Sequence, residues 1–426
     1  MASRILTHIK QLIGTREISK PLFGIELAAL PVLNNAYLIT EGEEIAGYGR
    51  MADLHQDHPQ LPAEETDCSG RLVLPCWCDS HTHLVFAGSR ENEFVDRLRG
   101  LSYAEINARG GGILSTVQQV AEATEDELFQ LAWNRLGEIS RLGTGAVEIK
   151  SGYGLTVEDE LKILRVIKKL KQKSALSVRA SFLGAHSYPL AYRENHEAYL
   201  RLIMDCMLPV IAREKLADYI DVFCEKGFFS RAETESLLKA GLHHGLKPKL
   251  HCNQLSSIGG IQTGIKLNAV SLDHLEVLLK EDLESLKTSS WKGCCTLLPT
   301  AAFFLGLPAP PARKLIETGC AIALASDYNP GSSPGGNMNL VVSLACIQMN
   351  LLPEEAINAA TLNGAFAMGL DDSCGSITKG KLASLIITSP IPSLAYMPYA
   401  IGSNHIDQVM IRGEFISPRR HLPETK

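Results

Sequence analysis

The chain has 426 residues, enough to bury a sizeable core without disulfide bonds. Its 41 basic and 47 acidic side chains leave a formal net charge of −6, which argues against nucleic acid or an anionic membrane as a partner. It contains no apolar run long enough to span a membrane and no signal-peptide pattern at its start. Eleven irregularly spaced cysteines predict reduced thiols and a cytoplasmic location.

Both ends of the chain carry short β-strand patterns. Near the start, apolar runs at residues 36–40 and 45–49 flank a charged turn that contains glycine. Near the end, residues 382–388 form a β-rich run and residues 408–416 a second hairpin pattern. We therefore predict that residues 1–68 and 378–426 form one small β-sandwich domain from discontinuous chain.

The middle of the chain alternates apolar strand patterns with helical ones. Residues 158–171 have apolar side chains at helical spacing, and residues 231–241 follow the N-cap Ser230, with Glu233 in the capping-box position. The predicted strands are residues 72–75, 145–150, 177–183, 219–224, 246–251, 269–274, 293–299 and 320–326. Eight such units over about 260 residues have the size of an α/β fold of the TIM-like (β/α)8 type, which we assign to residues 69–377. A doubly wound sheet is the competing fold.

Polar side chains follow these strands at the ends where barrel active sites are built. His81 and His83 lie two residues apart, so an extended chain presents both imidazoles on one face. Further strands close on a histidine or an aspartate, namely His186, His251, His274 and Asp327. Any one of these is equally well explained as a surface or core residue, but their joint position predicts a divalent metal site. Asp327 is both a hard oxygen ligand and a proton acceptor for water.

Six segments carry a resemblance to a known family. They are residues 79–90 (DSHTHLVFAGSR), 110–117 (GGGILSTV), 148–154 (EIKSGYG), 182–186 (FLGAH), 221–225 (DVFCE) and 327–331 (DYNPG). The order of HxH, two single histidines and an aspartate after successive strands resembles the amidohydrolase superfamily. The segments together resemble the imidazolonepropionase family within it, over nearly the whole chain.

This resemblance implies an enzyme of L-histidine degradation that hydrolyses 4-imidazolone-5-propanoate to N-formimidoyl-L-glutamate with a metal-activated water. It implies one zinc or iron ion per chain, held by His81, His83, His251 and Asp327. His274 would lie beside the metal-activated water as a hydrogen-bond donor, and Asp327 would also take part in catalysis. Contacts to the imidazolone substrate would come from Arg90, Tyr153, His186 and Gln254, with Arg90 pairing with the substrate carboxylate or with a ring oxygen. Contacts to the propanoate-bearing product side would come from Asn329, Gly331 and Ser332. A homodimer is expected by resemblance only.

Several alternatives stay open at this point. The alternative for Arg90 is an ion pair with Glu91 or Glu93 at a helix start and no contact to the substrate. The alternative for Tyr153 is an ordinary aromatic residue in a turn. The same metal ligands serve other deaminases and cyclic amidohydrolases, whereas a non-catalytic scaffold is disfavoured because all four proposed ligands are present. The glycines at residues 110–112 fit a loop over the site better than a phosphate cradle. Cys252 follows His251 directly, so its side chain is expected to point away from the site.

Overall fold

A computed structural model describes residues 3–101, 105 and 111–416. Gly110 of the predicted glycine loop lies outside the described residues, as do residues 1, 2 and 417–426 of the predicted small domain. The described strands form two separate sheets, one parallel and one mixed.

The parallel sheet is the predicted barrel, with each strand paired to the next one along the chain. Its described strands are Trp77–Thr82, Thr144–Lys150, Ser177–Ala185, Tyr219–Cys224, Lys247–Cys252, Ser271–His274, Cys294–Leu297 and Ala321–Leu324. Backbone hydrogen bonds then join the segment after the last strand to the end of the first strand and the residue after it. Asp327 N donates to His81 O (3.0 Å), and His83 N donates to Tyr328 O (2.9 Å). The predicted (β/α)8 fold is confirmed.

The helices pack around this sheet, and two of them test the sequence patterns directly. Val157–Lys173 and Arg231–His243 confirm the helices predicted at residues 158–171 and 231–241. The second begins with the predicted capping box, in which Ser230 N donates to the Glu233 side chain (2.7 Å). The other described α-helices are Leu54–Asp57, Glu91–Leu98, Ile113–Glu122, Glu125–Arg141, His196–Arg201, Leu208–Glu214, Gly260–Lys266, Lys280–Thr288, Pro299–Leu305, Ala312–Glu317, Met338–Met349, Pro353–Ala360, Leu362–Ala367 and Tyr396–Tyr399. Within the described ranges, none of the helices has both the length and the apolar character needed to cross a membrane.

The mixed sheet joins the two ends of the chain, as predicted. Its strands are Ser3–Ile13, Val32–Glu41, Glu44–Arg50, Glu64–Asp67, Leu72–Pro75, Leu385–Thr388, Ile406–Ile411 and Glu414–Phe415. Side chains from both ends, including Leu6, Leu38, Leu385 and Met410, form one buried apolar cluster. Both predicted hairpins are present as antiparallel strand pairs.

The assignment of residues 72–75 to the barrel was wrong. This strand pairs in parallel with Ser3–Ile13 and antiparallel with Leu385–Thr388, so it belongs to the mixed sheet. The first barrel strand is Trp77–Thr82, whose fully buried sequence WCDSHT lacks the apolar run on which the prediction relied. We still propose domains at residues 1–68 with 378–426 and at residues 69–377, although Leu72–Pro75 is hydrogen-bonded to the first of them.

A buried asparagine connects the N-terminal segment to the barrel. The fully buried Asn363 side chain donates to Leu22 O and Ile322 O, both at 2.9 Å. Its Oδ1 accepts from Leu22 N, also at 2.9 Å. One amide therefore satisfies three backbone groups, two at Leu22 and one on the last barrel strand.

Replacing Asn363 with leucine should destabilise the protein, because these three backbone groups would stay buried without their partner. We expect the free energy of unfolding to fall by about 2–4 kcal/mol in urea denaturation. The control is Asn134→Leu on an exposed helix position, where the change should stay within about 0.5 kcal/mol. Equal losses in the two variants would contradict the assigned role of Asn363.

Candidate active site and metal centre

A cavity of about 490 Å³ lies at the carboxyl ends of the barrel strands. All but one of the residues predicted for the site line it: His83, Arg90, Tyr153, His186, His251, Gln254, His274, Asp327, Asn329, Gly331 and Ser332. The exception is His81, which is fully buried beside the cavity. Segments that are distant in sequence are therefore brought together at one place.

The histidines and Asp327 form two overlapping groups that could hold a metal ion. His81, His251 and His274 make one group, and His81, His83 and Asp327 make the other. Within each group, one ligand atom of every residue lies within 4.8 Å of the others. The two groups share His81, so one ion beside this imidazole could reach members of both. His274, predicted to lie outside the ligand set, is as close to His81 and His251 as a ligand would be.

The imidazoles are in the state that a metal requires. Burial, together with nearby positive charge, lowers the pKa of His81, His83 and His251 well below the usual value, so these rings are neutral. The Nε2 atoms of His81 and His251 are buried and form no hydrogen bond with any described residue. Neutral imidazole nitrogens without a partner, next to a carboxylate, fit a divalent metal ion.

Beneath these ligands lies a buried ionic network that the sequence interpretation missed. The Lys150 Nζ lies 2.7 Å from Glu148 Oε1, 2.7 Å from Asp221 Oδ2 and 3.2 Å from Asp273 Oδ2. Lys249 pairs with the other oxygen of Glu148. Burial alone would lower the pKa of Lys150, but the three carboxylates raise it well above its usual value, so it stays charged. The network thus joins three carboxyl groups to two lysines beneath the candidate metal site.

Two of these carboxylates orient metal-site imidazoles. His81 Nδ1 donates to Asp273 Oδ2 (2.7 Å), which leaves Nε2 as the free nitrogen of the ring. His251 Nδ1 lies 3.0 Å from Asp221 Oδ2, and the backbone N of His251 donates to Asp221 Oδ1 (3.1 Å). A carboxylate behind a ligating histidine fixes the tautomer and strengthens the ligand. The signal available in the sequence was the alternation that places Glu148 and Lys150 on the same face of their strand.

His274 differs from the other histidines in charge and in backbone. Burial lowers its pKa, but the Glu276 carboxylate, 3.3 Å from Nδ1, together with Asp327 and Asp273 raises the pKa above the usual value. Its φ of +85° is left-handed, as is the φ of +53° at Asp327. Such backbone is costly for residues other than glycine and is concentrated at functional sites. It occurs here at the last residue of one strand and three residues after the end of another, and both side chains lie close to His81.

The loop after the last strand is organised by its own asparagine. Asn329 Oδ1 accepts from the backbone N of Gly331 (2.8 Å) and of Ser332 (2.9 Å). Its Nδ2 donates to Asp327 O (2.6 Å) and to Ser332 Oγ (2.7 Å). Ser332 Oγ in turn donates to Asp327 Oδ2 (3.1 Å). Asn329 thus shapes the loop, and Ser332 contacts the carboxylate of the metal site.

Arg90 forms the ion pair with Glu93 that the sequence offered as an alternative, and it also lines the cavity. It precedes the helix Glu91–Leu98 and forms a two-pronged ion pair with Glu93, at 3.1 Å from Nε and 3.0 Å from Nη2. The same guanidinium lines the cavity against Gly331, where a Cβ would come within 2.2 Å of Nη1. Glu93 and Arg97 also line the cavity, and neither was predicted.

Tyr153 and His186 form an aromatic wall beside His83. The His186 ring stacks on His83 with centroids 5.3 Å apart, and Tyr153 lies 5.5 Å from His186. His186 Nδ1 donates to Gly152 O (3.1 Å), and burial lowers its pKa to about 4. The ring is therefore neutral, with Nε2 left as a hydrogen-bond acceptor.

The cysteines near the site are structural. Cys252 packs so closely against Gly260 that a Cβ added to the glycine would lie 2.6 Å from the Cβ of Cys252. The Cys252 side chain does not line the cavity. This agrees with the expected direction of its side chain. Cys76 and Cys78 are buried against Gly145 and Gly364 in the same manner.

Comparison with known proteins adds the family to this geometry. The sequence model of the amidohydrolase family matches residues 230–416. Proteins named imidazolonepropionase from Flavobacterium johnsoniae and Christiangramia forsetii are 53% and 51% identical over 414 residues, covering 97% of this chain and 99% of each relative. A third, from Flavobacterium psychrophilum, is 50% identical over 415 residues.

Solved structures share the fold at low sequence identity. A triazine hydrolase variant matches with a TM-score of 0.73 and 15% identity, covering 99% of this chain and 96% of that one. Guanine deaminase from E. coli matches with a TM-score of 0.70 and 14% identity, covering 99% of this chain and all of that one. The barrel with its second sheet is the fold of the amidohydrolases, which are metal-dependent hydrolases of carbon–nitrogen bonds. Within this class, the chain belongs to the imidazolonepropionase family.

The contact between Asp273 and His81 generates a test of the metal centre. Asp273→Asn keeps the size of the side chain but removes the charge behind the imidazole. Metal affinity should fall by about 10- to 100-fold, measured by competition with a chelator of known affinity. Glu355→Gln is the control, because it also removes a buried, paired carboxylate but one bound to Arg313. Unchanged affinity in a folded Asp273→Asn variant would contradict the role assigned to this carboxylate.

Proposed function

We propose that this protein hydrolyses 4-imidazolone-5-propanoate to N-formimidoyl-L-glutamate in L-histidine degradation. The observation that carries the proposal is one cavity lined by four imidazoles, two carboxylates and two arginines, in a chain 53% identical to an imidazolonepropionase. In this reaction water adds to the ring carbonyl carbon, the ring C–N bond breaks, and the ring nitrogen takes a proton. The carbonyl becomes a second carboxylate.

The residues proposed to hold one zinc or iron ion are His81, His83, His251 and Asp327. Imidazole and carboxylate ligands suit both metals, so the chain itself does not select between them. When bound, such an ion acts as a Lewis acid and lowers the pKa of water from about 15.7 towards 7. The amidohydrolases that share the fold include an adenosine deaminase whose solved structure has bound zinc.

The proposed contacts to the ring come from the aromatic wall and its neighbours. His186 offers Nε2 as an acceptor for a ring N–H, because its Nδ1 is engaged by Gly152. Burial raises the pKa of Tyr153, so its phenol stays a neutral donor beside the same ring. Gln254 lines the opposite part of the cavity and can donate or accept through its amide. Arg90 can donate Nη1 to the ring oxygen while Glu93 holds its other nitrogens.

The acid-base roles are assigned to Asp327 and His274. Asp327 takes the proton from the attacking water and passes it to the ring nitrogen as the C–N bond breaks, and Ser332 Oγ orients its carboxylate. Protonated His274, held by Glu276, donates a hydrogen bond to the carbonyl oxygen as negative charge develops there. Gly331 and Ser332 lie where the new carboxylate of the product forms, and Asn329 holds the backbone of both in place.

A deaminase or another cyclic amidohydrolase was the alternative from the sequence. Deaminases among the solved structures share only the fold, at 14–16% identity. No observation favours a deaminase over the proposed reaction, and the complete set of site residues speaks against a non-catalytic scaffold. The homodimer stays a prediction.

The direct test is turnover of 4-imidazolone-5-propanoate by purified protein of known metal content. Loss of substrate absorbance should accompany formation of N-formimidoyl-L-glutamate, and removal of the metal by a chelator should abolish both. His251→Ala should bind well below one ion per chain and be inactive, whereas the exposed His243→Ala should match the wild type. Full activity of the chelator-treated protein or of His251→Ala would refute the proposal.

A second test separates Asp327 from His274. Asparagine tolerates the left-handed backbone at both positions, so each substitution tests the side chain alone. Asp327→Asn should retain some metal but lose most of kcat, because the amide accepts no proton. His274→Asn should retain metal fully and lose about 10²–10³ in kcat. If His274→Asn empties the site while Asp327→Asn stays loaded and active, the two roles are exchanged.

A further inference from the structure

Arg97 is a cavity residue to which the reaction described above gives no role. It lies in the last turn of Glu91–Leu98 and is half-buried. Its Nη2 donates to Gly331 O (3.3 Å), and its guanidinium carbon lies 4.9 Å from the centre of the Phe304 ring. Phe304 stacks on Phe94 with centroids 5.4 Å apart. The aromatic stack and the carbonyl hold the guanidinium in one orientation.

The charge of Arg97 is not neutralised by the described residues. Among them, no carboxylate oxygen lies within 4.0 Å of its guanidinium nitrogens. Glu93, the nearest acidic residue of the cavity wall, is already bound by Arg90 through both oxygens and also accepts from Gly112 N (3.0 Å). Two guanidinium groups and one carboxylate therefore leave this wall with one net positive charge.

Partial burial makes this charge available to a ligand. Burial, and then the nearby Arg90, lowers the pKa of Arg97, and Glu93 offsets this only in part. Of the five N–H donors of an arginine, one is used by Gly331. A planar carboxylate that accepts two of the others gains a charge-assisted, two-pronged contact.

We propose that Arg97 binds the propanoate carboxylate of the substrate and so selects ring substrates that carry an acidic side chain. This assignment rests on the proposed function. It divides the work between the two arginines, because Arg90 is neutralised by Glu93 and serves a neutral ring oxygen, whereas Arg97 serves the anion. Arg97 then acts in binding and specificity and takes no part in proton transfer.

The test compares an acid with its amide. The metal-loaded wild type and Arg97→Gln are assayed with 4-imidazolone-5-propanoate and with the corresponding propanamide. Binding of imidazole-4-propanoate and of its amide is measured by calorimetry in parallel. We expect Arg97→Gln to weaken binding of both acids by about 10- to 100-fold, seen mainly in KM, and to change the amides little. Arg97→Lys should keep part of the preference for the acid, because it keeps the charge without the fork.

The matched control is Arg99→Gln, which removes an exposed arginine two residues further along and should leave all values unchanged. An equal loss for acid and amide, or no loss, in folded Arg97→Gln would overturn the inference and leave the proposed function intact. A wild type that neither binds nor cleaves these compounds would refute the proposed function, and this inference with it. If Arg97→Gln fails to fold, Arg97→Lys decides, and an acid preference equal to the wild type overturns the inference.

Discussion

The proposed metal centre depends on one buried ammonium group, that of Lys150, inside the barrel. It holds together Glu148, Asp221 and Asp273, which could not share the interior as bare carboxylates. Two of these carboxylates in turn lie behind the imidazoles of His251 and His81. A buried ionic network of this kind adds little net stability over an apolar core, but losing one partner costs about 3–5 kcal/mol. The network therefore serves the site, because it fixes the tautomer of His81 and places a carboxylate behind both imidazoles.

The same region also closes the barrel. The hydrogen bond from Asp327 N to His81 O joins the last and first strand segments through two proposed metal ligands. The hydrogen bond that closes the sheet therefore also sets the spacing between these two proposed ligands. The left-handed backbone at His274 and Asp327 costs about 1–3 kcal/mol at each residue, which the surrounding fold must offset. As a result, the side chains of His274 and Asp327 reach His81, although the alternation of side chains along a strand would point them outwards.

Sequence patterns predicted those parts of the molecule whose signals are local. The capping box at Ser230 and Glu233, the terminal hairpins and most barrel strands followed from hydrophobic periodicity and turn residues. Trp77–Thr82 was not predicted as a strand, because several of its buried residues are polar side chains of the site. The apolar run before it was therefore assigned to the barrel instead. The partners of Lys150 escaped because three separate strands supply them. Arg97 was not predicted, because its proposed role depends on the ion pair between Glu93 and Arg90, which only the folded structure shows.

Chemistry and selectivity lie on different parts of this fold. The proposed metal ligands sit at strand ends, which the barrel itself holds in place, and amidohydrolases at 14–16% identity share that barrel. The charged wall instead comes from the helix Glu91–Leu98 and the loop after the last strand, which meet at Gly331. A Cβ there would come within 2.2 Å of Arg90 Nη1, so the guanidinium would have to shift. A change in one loop residue could therefore alter what the cavity accepts and leave the metal ligands in place, which is how one barrel can serve substrates of different charge.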